Sequence, residues 1–354
     1  SGRKWFTSAI NADAALALAR PEGNPQGADG LALFYLETHD AEGRWNGIRV
    51  DRLKDKLGTR ELPTAEIHLE DAAATLVGEP AHGVRAVVPV LQITRLWNSV
   101  GALATMRRCI ALTRDYAQRR VAFGRPLIEQ PMYADMLASL QAEFEAAFHF
   151  VFHATELLGR VQARQADEHQ QQLFRLLTPL AKLWTGKLAV RIASETVEAF
   201  GGMGYLEDSG VPQLLRDAQV FPIWEGASNV QALDALGAFA KHGSAALRNA
   251  QRALFAQAQG VDFAAFAQLA QAALLAADAR LQSNEGEAGA RGLALTYARA
   301  FAAALLARHA AWSLRAQADP RPLSALRRFC AHGLNRLQNH STKEAHSLAR
   351  DLYA

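Results

Sequence analysis

The feature that most constrains the fold is a change of period near residue 84. Before it, apolar residues recur at every second position over short runs: Ala14, Leu16 and Leu18, then Leu31, Leu33 and Tyr35, then Ile67 and Leu69. Breaks containing glycine and proline separate the runs, such as Pro21-Glu22-Gly23-Asn24-Pro25 and Glu42-Gly43. Successive side chains of a strand point to opposite faces, so this spacing predicts antiparallel strands with hairpin-like connections. After residue 84 the spacing is helical. Val84, Val87, Val88 and Leu91 open a stripe that continues through Leu103, Met106 and Ile110 to a loop at Phe123-Gly124-Arg125-Pro126. Further long helices are expected over about 127–163, 171–200 and 228–241, with a glycine-rich turn at 201–204. From about 243 the chain is rich in alanine and leucine, with breaks near Gly260, at Asn284-Glu285-Gly286 and at Pro320.

The expected fold class is α+β, mainly α. Residues 1–83 would form a small antiparallel β-barrel-like domain, 84–241 a helical bundle, and 242–354 an additional module of antiparallel helices. The most apolar helix, about 292–313, carries Arg299, Arg308 and His309 and therefore reads as a buried helix rather than a membrane span.

Composition narrows the function classes. Half of the residues are apolar and 21% are charged, which excludes a disordered chain. The net charge of +3 argues against a nucleic-acid footprint, but it is uneven: residues 237–354 hold 14 Lys and Arg against 7 Asp and Glu, and the rest 24 against 28. A near-neutral total conceals a basic C-terminal module. The two cysteines, Cys109 and Cys330, lie far apart with no CxxC or Cys/His cluster. No disulfide framework or thiolate zinc site is expected, and a reducing cytoplasm fits. The first residues carry no charged-then-apolar signal pattern.

Four segments carry possible chemistry. In Lys4-Trp5-Phe6-Thr7-Ser8, the aromatics either enter the core from an edge strand, or Trp5 offers a flat surface to a planar ligand with Thr7 as hydroxyl donor on the same face. Gln118-Arg119-Arg120-Val121-Ala122-Phe123-Gly124-Arg125-Pro126-Leu127 is either a helix end whose arginines suit the macrodipole or an anion site with Phe123 as stacking face. Phe200-Gly201-Gly202-Met203-Gly204-Tyr205 follows a helix rather than a strand and lacks Lys-Ser/Thr, so it reads as a helix-ending turn beside a ligand rather than a phosphate loop. In Pro222-Ile223-Trp224-Glu225-Gly226-Ala227-Ser228-Asn229, a carboxylate lies between an aromatic and a glycine at a helix entry. In a partly apolar setting it could remove a proton from a carbon acid.

Taken in order, these segments resemble the acyl-CoA dehydrogenase superfamily over residues 1 to about 240. KWFTSAI is similar to the flavin-stacking strand, KLGTRELPTAEIHLED to the middle-domain pattern, and YAQRRVAFGRPLIEQ to the helical-domain signature. GGMGYLEDSGVPQLLRDAQVFPIWEGASNVQ is similar to the stretch from the adenine-side loop to the catalytic carboxylate. KWFTSA, RLKDKLGTR, FGRPLIEQP and IWEGASNVQALD, with the long extension after them, look most like the AidB-like branch, the alkylation-response flavoproteins.

The resemblance implies FAD as cofactor, an acyl-CoA substrate, an electron-transfer flavoprotein or another electron acceptor, and a homodimer or homotetramer. It implies Trp5 and Thr7 against the isoalloxazine. Arg120, Phe123 and Gln130 would approach the FAD of a neighbouring subunit, and Glu198, Gly201 and Gly202 would line the adenine-side turn. Glu225 would be the base, with Arg95 near it, Trp224 and Gly226 beside the substrate, and Asn229 on the flavin side. Glu198 replaces the usual Gln, and Ala227 the commoner Thr, which removes one hydroxyl contact. Members usually begin with an N-terminal helical domain, which would place this chain's start inside the flavin strand. The same resemblance offers an alternative, a protein that associates with duplex DNA and protects it from alkylation, with the basic module neutralising phosphates.

Overall fold

Six short strands open the chain: β1 (Gly2–Thr7), β2 (Ala14–Ala19), β3 (Ala32–Glu37), β4 (Ile48–Leu53), β5 (Ala65–Leu69) and β6 (Thr75–Val77). The structure, a computed structural model, describes residues 1–258, 261–283, 287–338 and 342–351. The breaks expected near Gly260 and at Asn284-Glu285-Gly286 fall at residues outside these. The strands pair as two antiparallel sheets of three, ordered β1-β5-β4 and β2-β3-β6. Among the described residues they do not close into a barrel.

The chain divides into two compact units, Ser1–Thr94 and Arg95–Ala354. The first has a small core of Ile10, Leu36, Ile48, Ala65 and Ile67. Its edge strand β1 carries a bulge: Lys4 pairs with Ile67 and Thr7 with Ala65, so an extra residue is inserted between them. The strict alternation that would put Trp5 and Thr7 on one face is therefore interrupted where it was needed. Trp5 and Phe6 are both exposed, which rules out the reading of them as core aromatics. Lys54 places its ammonium 3.6 Å from the centroid of the Trp5 ring.

Glu66 ties the same sheet together. Its carboxylate accepts hydrogen bonds from Arg52 Nε and Nη2 at 3.0 and 2.8 Å, and from Lys54. The Arg52 and Lys54 bonds hold its pKa down to about 2, from an ordinary value of 4.5. A depressed folded-state pKa stabilises above the unfolded value and loses that contribution as pH falls through the folded one. Acid titration followed by circular dichroism should show the first unit weakening from about pH 4.5 towards pH 2. Glu66→Gln should be less stable at neutral pH and flatter across that window; an unchanged acid limb would exclude the role.

The remainder is helical: α1 (Gly83–Arg119), α2 (Pro131–Gln162), α3 (Glu168–Ala199), α4 (Val211–Ala218), α5 (Ser228–His242), α6 (Ala245–Gln257), α7 (Val261–Gln282), α8 (Ala290–Gln317), α9 (Arg321–Ala331) and α10 (Thr342–Ala349). Between α1 and α2, Val121–Ala122 and Arg125–Pro126 form a minimal hairpin. Its central pair, Phe123 and Gly124, both have positive φ, 52° and 82°, as a two-residue hairpin turn requires. Helix α3 starts at a capping box in which Asp167 Oδ1 accepts from the Gln170 N–H at 2.8 Å and Gln170 Oε1 accepts from the Asp167 N–H at 3.2 Å.

One apolar cluster runs through the second unit from Leu96 to Leu334. The stretches 84–241 and 242–354 that differ in composition share this core. Helix α8 is buried on nearly every side, the condition that permits an alanine-rich helix without an amphipathic stripe. Arg299, buried in α8, forms a two-pronged ion pair with Glu143 of α2 at 2.8 and 3.0 Å. Its Nε donates to the Gly333 carbonyl at 2.8 Å. The His332 ring nitrogen Nδ1 lies 2.8 Å from Glu143 Oε1. Burial pushes the Glu143 carboxyl up, but the Arg299 and His332 hydrogen bonds outweigh it and leave the group below its usual pKa.

Candidate functional site

The segment from Gln219 to Ala227, between α4 and α5, has no ladder of its own to satisfy its backbone, and three helices clasp it with side chains. From α1, Asn98 Nδ2 donates to the Phe221 carbonyl at 3.1 Å. From α5, Gln231 Nε2 donates to the Glu225 carbonyl at 2.7 Å. From α3, Lys182 Nζ donates to the Gly226 carbonyl. Close backbone approach completes the seat: a Cβ on Gly186 of α3 would lie 3.0 Å from the Phe221 oxygen and 3.1 Å from Pro222 N. Glycine inside a helix costs about 1 kcal/mol relative to alanine, and this contact is the reason for it.

Glu225 sits on this segment, half-buried, with φ 57°, a left-handed conformation that non-glycine residues adopt at a cost of about 1–3 kcal/mol. Gly226 follows at φ 101°. Beside them Asp234 of α5 joins Arg95 of α1, at 2.7 Å, to Arg175 of α3. Lys182 is wholly buried, and burial lowers its pKa to about 8, partly offset by the nearby Glu225 carboxylate and reinforced by Arg95. Arg95 Nε and Gln231 Oε1 are buried with no partner among the described residues; unpaired buried polar atoms of this kind mark a place where a further polar group would be accommodated.

Trp224, Glu225, Gly226 and Asn229 thus lie on one loop and the helix start that follows it, with Trp224 half-buried and Asn229 exposed, and Arg95 and Glu225 both act on the Lys182 ammonium. Arg95 is held there through Asp234. A second group forms at the far end of α3, roughly 25 Å along the helix from Lys182 at 1.5 Å per residue. There the Phe200 ring stacks on Tyr116 with centroids 4.4 Å apart, and Tyr133 Oη donates to the Ala199 carbonyl at 3.0 Å. These contacts bring the 198–202 turn against the end of α1 and the start of α2, which flank the segment 120–130 that holds Arg120, Phe123 and Gln130. Phe123 is 97% exposed, Arg120 and Glu198 are exposed, and Gln130 spends its amide on the Ala122 carbonyl at 3.1 Å. Gly204 is required by packing, since a Cβ there would lie 2.0 Å from the Val197 oxygen, whereas a Cβ on Gly202 would meet nothing within 4 Å. Neither the chain's own packing nor a positive φ explains Gly202, which leaves open backbone at the turn. Trp5 and Thr7 belong to the other compact unit.

Sequence reasoning missed Lys182, Gln231, Asp234, Arg175 and Asn98. The available signal was Lys182 inside the apolar run Pro179-Leu180-Ala181-Lys182-Leu183-Trp184, since lysine is almost never fully buried without a partner. Gly226→Ala should destabilise the protein by about 1–3 kcal/mol. Its Cβ would fall 2.6 Å from Gln231 Nε2 at a φ alanine rarely takes. A denaturant midpoint equal to that of the wild type would contradict this.

Residues 81–237 match the acyl-CoA dehydrogenase C-terminal domain family, and residues 234–352 match the acyl-CoA dehydrogenase 11 C-terminal domain-like family. The chain is 40% identical over 347 residues to acyl-CoA dehydrogenase family member 11 of Caenorhabditis elegans, an alignment covering 93% of the chain and 56% of that protein. It is 36% identical over 235 residues to the putative acyl-CoA dehydrogenase AidB of Escherichia coli (strain K12), covering 66% of the chain and 42% of that relative. The crystal structure of Caenorhabditis elegans ACDH-11 in complex with C11-CoA superimposes with a TM-score of 0.90 at 36% identity, over 100% of this chain and 63% of that one. The chain belongs to the acyl-CoA dehydrogenase family. It spans little more than half the length of the first of these relatives.

Proposed function

We propose that this chain forms part of an FAD-dependent acyl-CoA dehydrogenase-like oxidoreductase that removes the α- and β-hydrogens of an acyl-CoA thioester, with Glu225 as the base. The observation that carries the reading is the placement of Glu225, a carboxylate held in a left-handed conformation by side-chain donors from two helices, with Arg95, anchored by Asp234, acting on the same Lys182 ammonium. Such over-determination of a strained residue is the mark of a functional position.

The residues present suit the cofactor. Gly202 offers open backbone at the turn, Phe123 an exposed ring and Trp5 an exposed aromatic on an edge strand. Trp5 and Thr7 would face the isoalloxazine. Arg120 and Phe123 would reach the pyrophosphate and adenosine of a neighbouring subunit's FAD, with Gln130 bracing their hairpin. Glu198, Gly201 and Gly202 would line the adenine side, and Asn229 the flavin side. When bound, FAD supplies the acceptor for the β-hydride. Glu225 takes the α-proton and becomes a carboxylic acid. The Glu225 N–H donates to the thioester oxygen as negative charge develops there, and a donor fixed in place beforehand costs no reorganisation in the transition state. Trp224 and Gly226 flank the acyl group. Electrons would leave to an electron-transfer flavoprotein or a similar acceptor, and sites built from two subunits require at least a dimer.

Anaerobic addition of short, branched and long acyl-CoAs to the full-length protein should bleach its flavin absorption. No bleaching by any of them would exclude the dehydrogenase reading. The duplex-DNA alternative loses part of its basis in the extension: Arg299 and Arg328 are engaged by Glu143 and Asp135 of α2, carboxylates outside residues 237–354. Two of the basic residues behind the excess are therefore matched from α2, so the excess overstates by those two what a phosphate backbone would meet.

A further inference from the structure

Lysine is the side chain least expected at the centre of a helical core, yet Lys182 is 0% exposed in the middle of α3. Its ammonium is directed at a backbone carbonyl, that of Gly226, the residue next to the proposed base. Gln231, equally buried, holds the preceding carbonyl, that of Glu225 itself, at 2.7 Å. Two successive carbonyls are therefore fixed from beneath by two buried side chains on different helices, at the two residues whose φ values are 57° and 101°.

We propose that Lys182, assisted by Gln231, is a positioning residue for Glu225: Lys182 holds the Gly226–Ala227 peptide through the Gly226 carbonyl while Gln231 holds the Glu225–Gly226 peptide through the Glu225 carbonyl, and together they keep the left-handed arrangement that fixes where the carboxylate and the Glu225 N–H point. The inference rests on the reading of Glu225 as the base, and it deepens that reading by naming what sets the geometry. A left-handed non-glycine residue relaxes unless its surroundings over-determine it. Without the bond to the Gly226 carbonyl, the Glu225–Gly226 pair loses one of the two side-chain clamps described on its carbonyls and keeps that of Gln231, with the more distant Asn98 bond at Phe221.

The role has a pH signature. The charged groups that act on the ammonium are Glu225 on the loop and Arg95 from α1; Arg95 is in turn paired with Asp234 of α5, which also pairs with Arg175 of α3. Loss of the Lys182 proton as pH rises through about 8 replaces a charge-assisted hydrogen bond by a weaker neutral one. The base would then be less firmly placed on the alkaline side.

The test uses the full-length flavin-loaded protein with Lys182→Met and Lys182→Arg. Hydrogen exchange at the amides of Trp224–Asn229 should accelerate about tenfold or more in Lys182→Met, with α9 unchanged as an internal control. Acyl-CoA-driven flavin reduction in Lys182→Met should slow by about 10²-fold, with KM within about twofold, as expected when a reacting group is misplaced by roughly an ångström. Lys182→Arg should restore much of the protection and move the alkaline limb of the pH–rate profile upward, because a guanidinium does not titrate there. If Lys182→Met fails to fold, the Lys182→Arg pH profile decides the matter. Unchanged exchange at 224–229, acceleration spread equally over α9, or an alkaline limb unmoved by arginine would each overturn the proposal. Exchange does not depend on turnover. Local acceleration in a protein that bleaches with no acyl-CoA would therefore remove the dehydrogenase reading and leave the positioning contact standing.

Discussion

Glu225→Gln is expected to fold as the wild type does and to slow acyl-CoA-dependent flavin bleaching by about 10²–10⁴-fold, the range for removal of a positioned general base. Glutamine keeps the shape of the side chain and its backbone carbonyl, so the Gln231 and Lys182 bonds to the loop remain. It cannot accept the α-proton as a carboxylate does. Stopped-flow absorbance under anaerobic conditions separates the two contributions: substrate affinity should be nearly unchanged while the reduction rate collapses. A reduction rate within threefold of the wild type would show that another group takes the proton.

The second large effect lies away from the site. Arg299→Leu should destabilise the helical unit by about 3–5 kcal/mol, the cost of leaving one member of a buried ion pair alone. The guanidinium is spent on both oxygens of Glu143, on the Gly333 carbonyl and over the Phe329 ring at 4.2 Å. Glu143→Leu should cost a similar amount. The double replacement should cost far less than the sum of the two, because two well-packed apolar side chains leave no charge uncompensated. Urea denaturation of the four proteins gives the cycle directly; additive losses would show that the pair does not act as a unit. The same bond network joins α2 to α8 and to the end of α9. Among the described residues the extension therefore shares the core of the structural unit that carries the candidate site.

Much of the candidate site was legible because its proposed chemistry is local in sequence. Trp224, Glu225, Gly226 and Asn229 lie within six residues, and a carboxylate between an aromatic and a glycine at a helix entry is recognisable without coordinates. The turn proposed to lie on the adenine side was legible as a helix-ending turn for the same reason, through Gly201 and Gly202. What supports these groups was not. Lys182, Gln231, Asn98, Asp234 and Arg175 act across three helices, and in sequence each looks like an ordinary helical polar residue. The exposure of Trp5 and Phe6 was likewise hidden, because a bulge adds one residue to β1 without leaving a mark in the residue types.

By itself the sequence determined the architecture class and its order. Side-chain period reports secondary structure directly, so the passage from strands to helices near residue 84 could be read from spacing. It also determined the family, through motifs in register. Only the tertiary structure decided which charges are free to act. Arg299 and Lys182 count equally towards a basic chain, yet one is consumed by a buried carboxylate and the other holds a carbonyl beside the proposed base. Net charge sums over residues regardless of burial, whereas desolvation and pairing depend on which helices meet, and that is a property of the packed core alone.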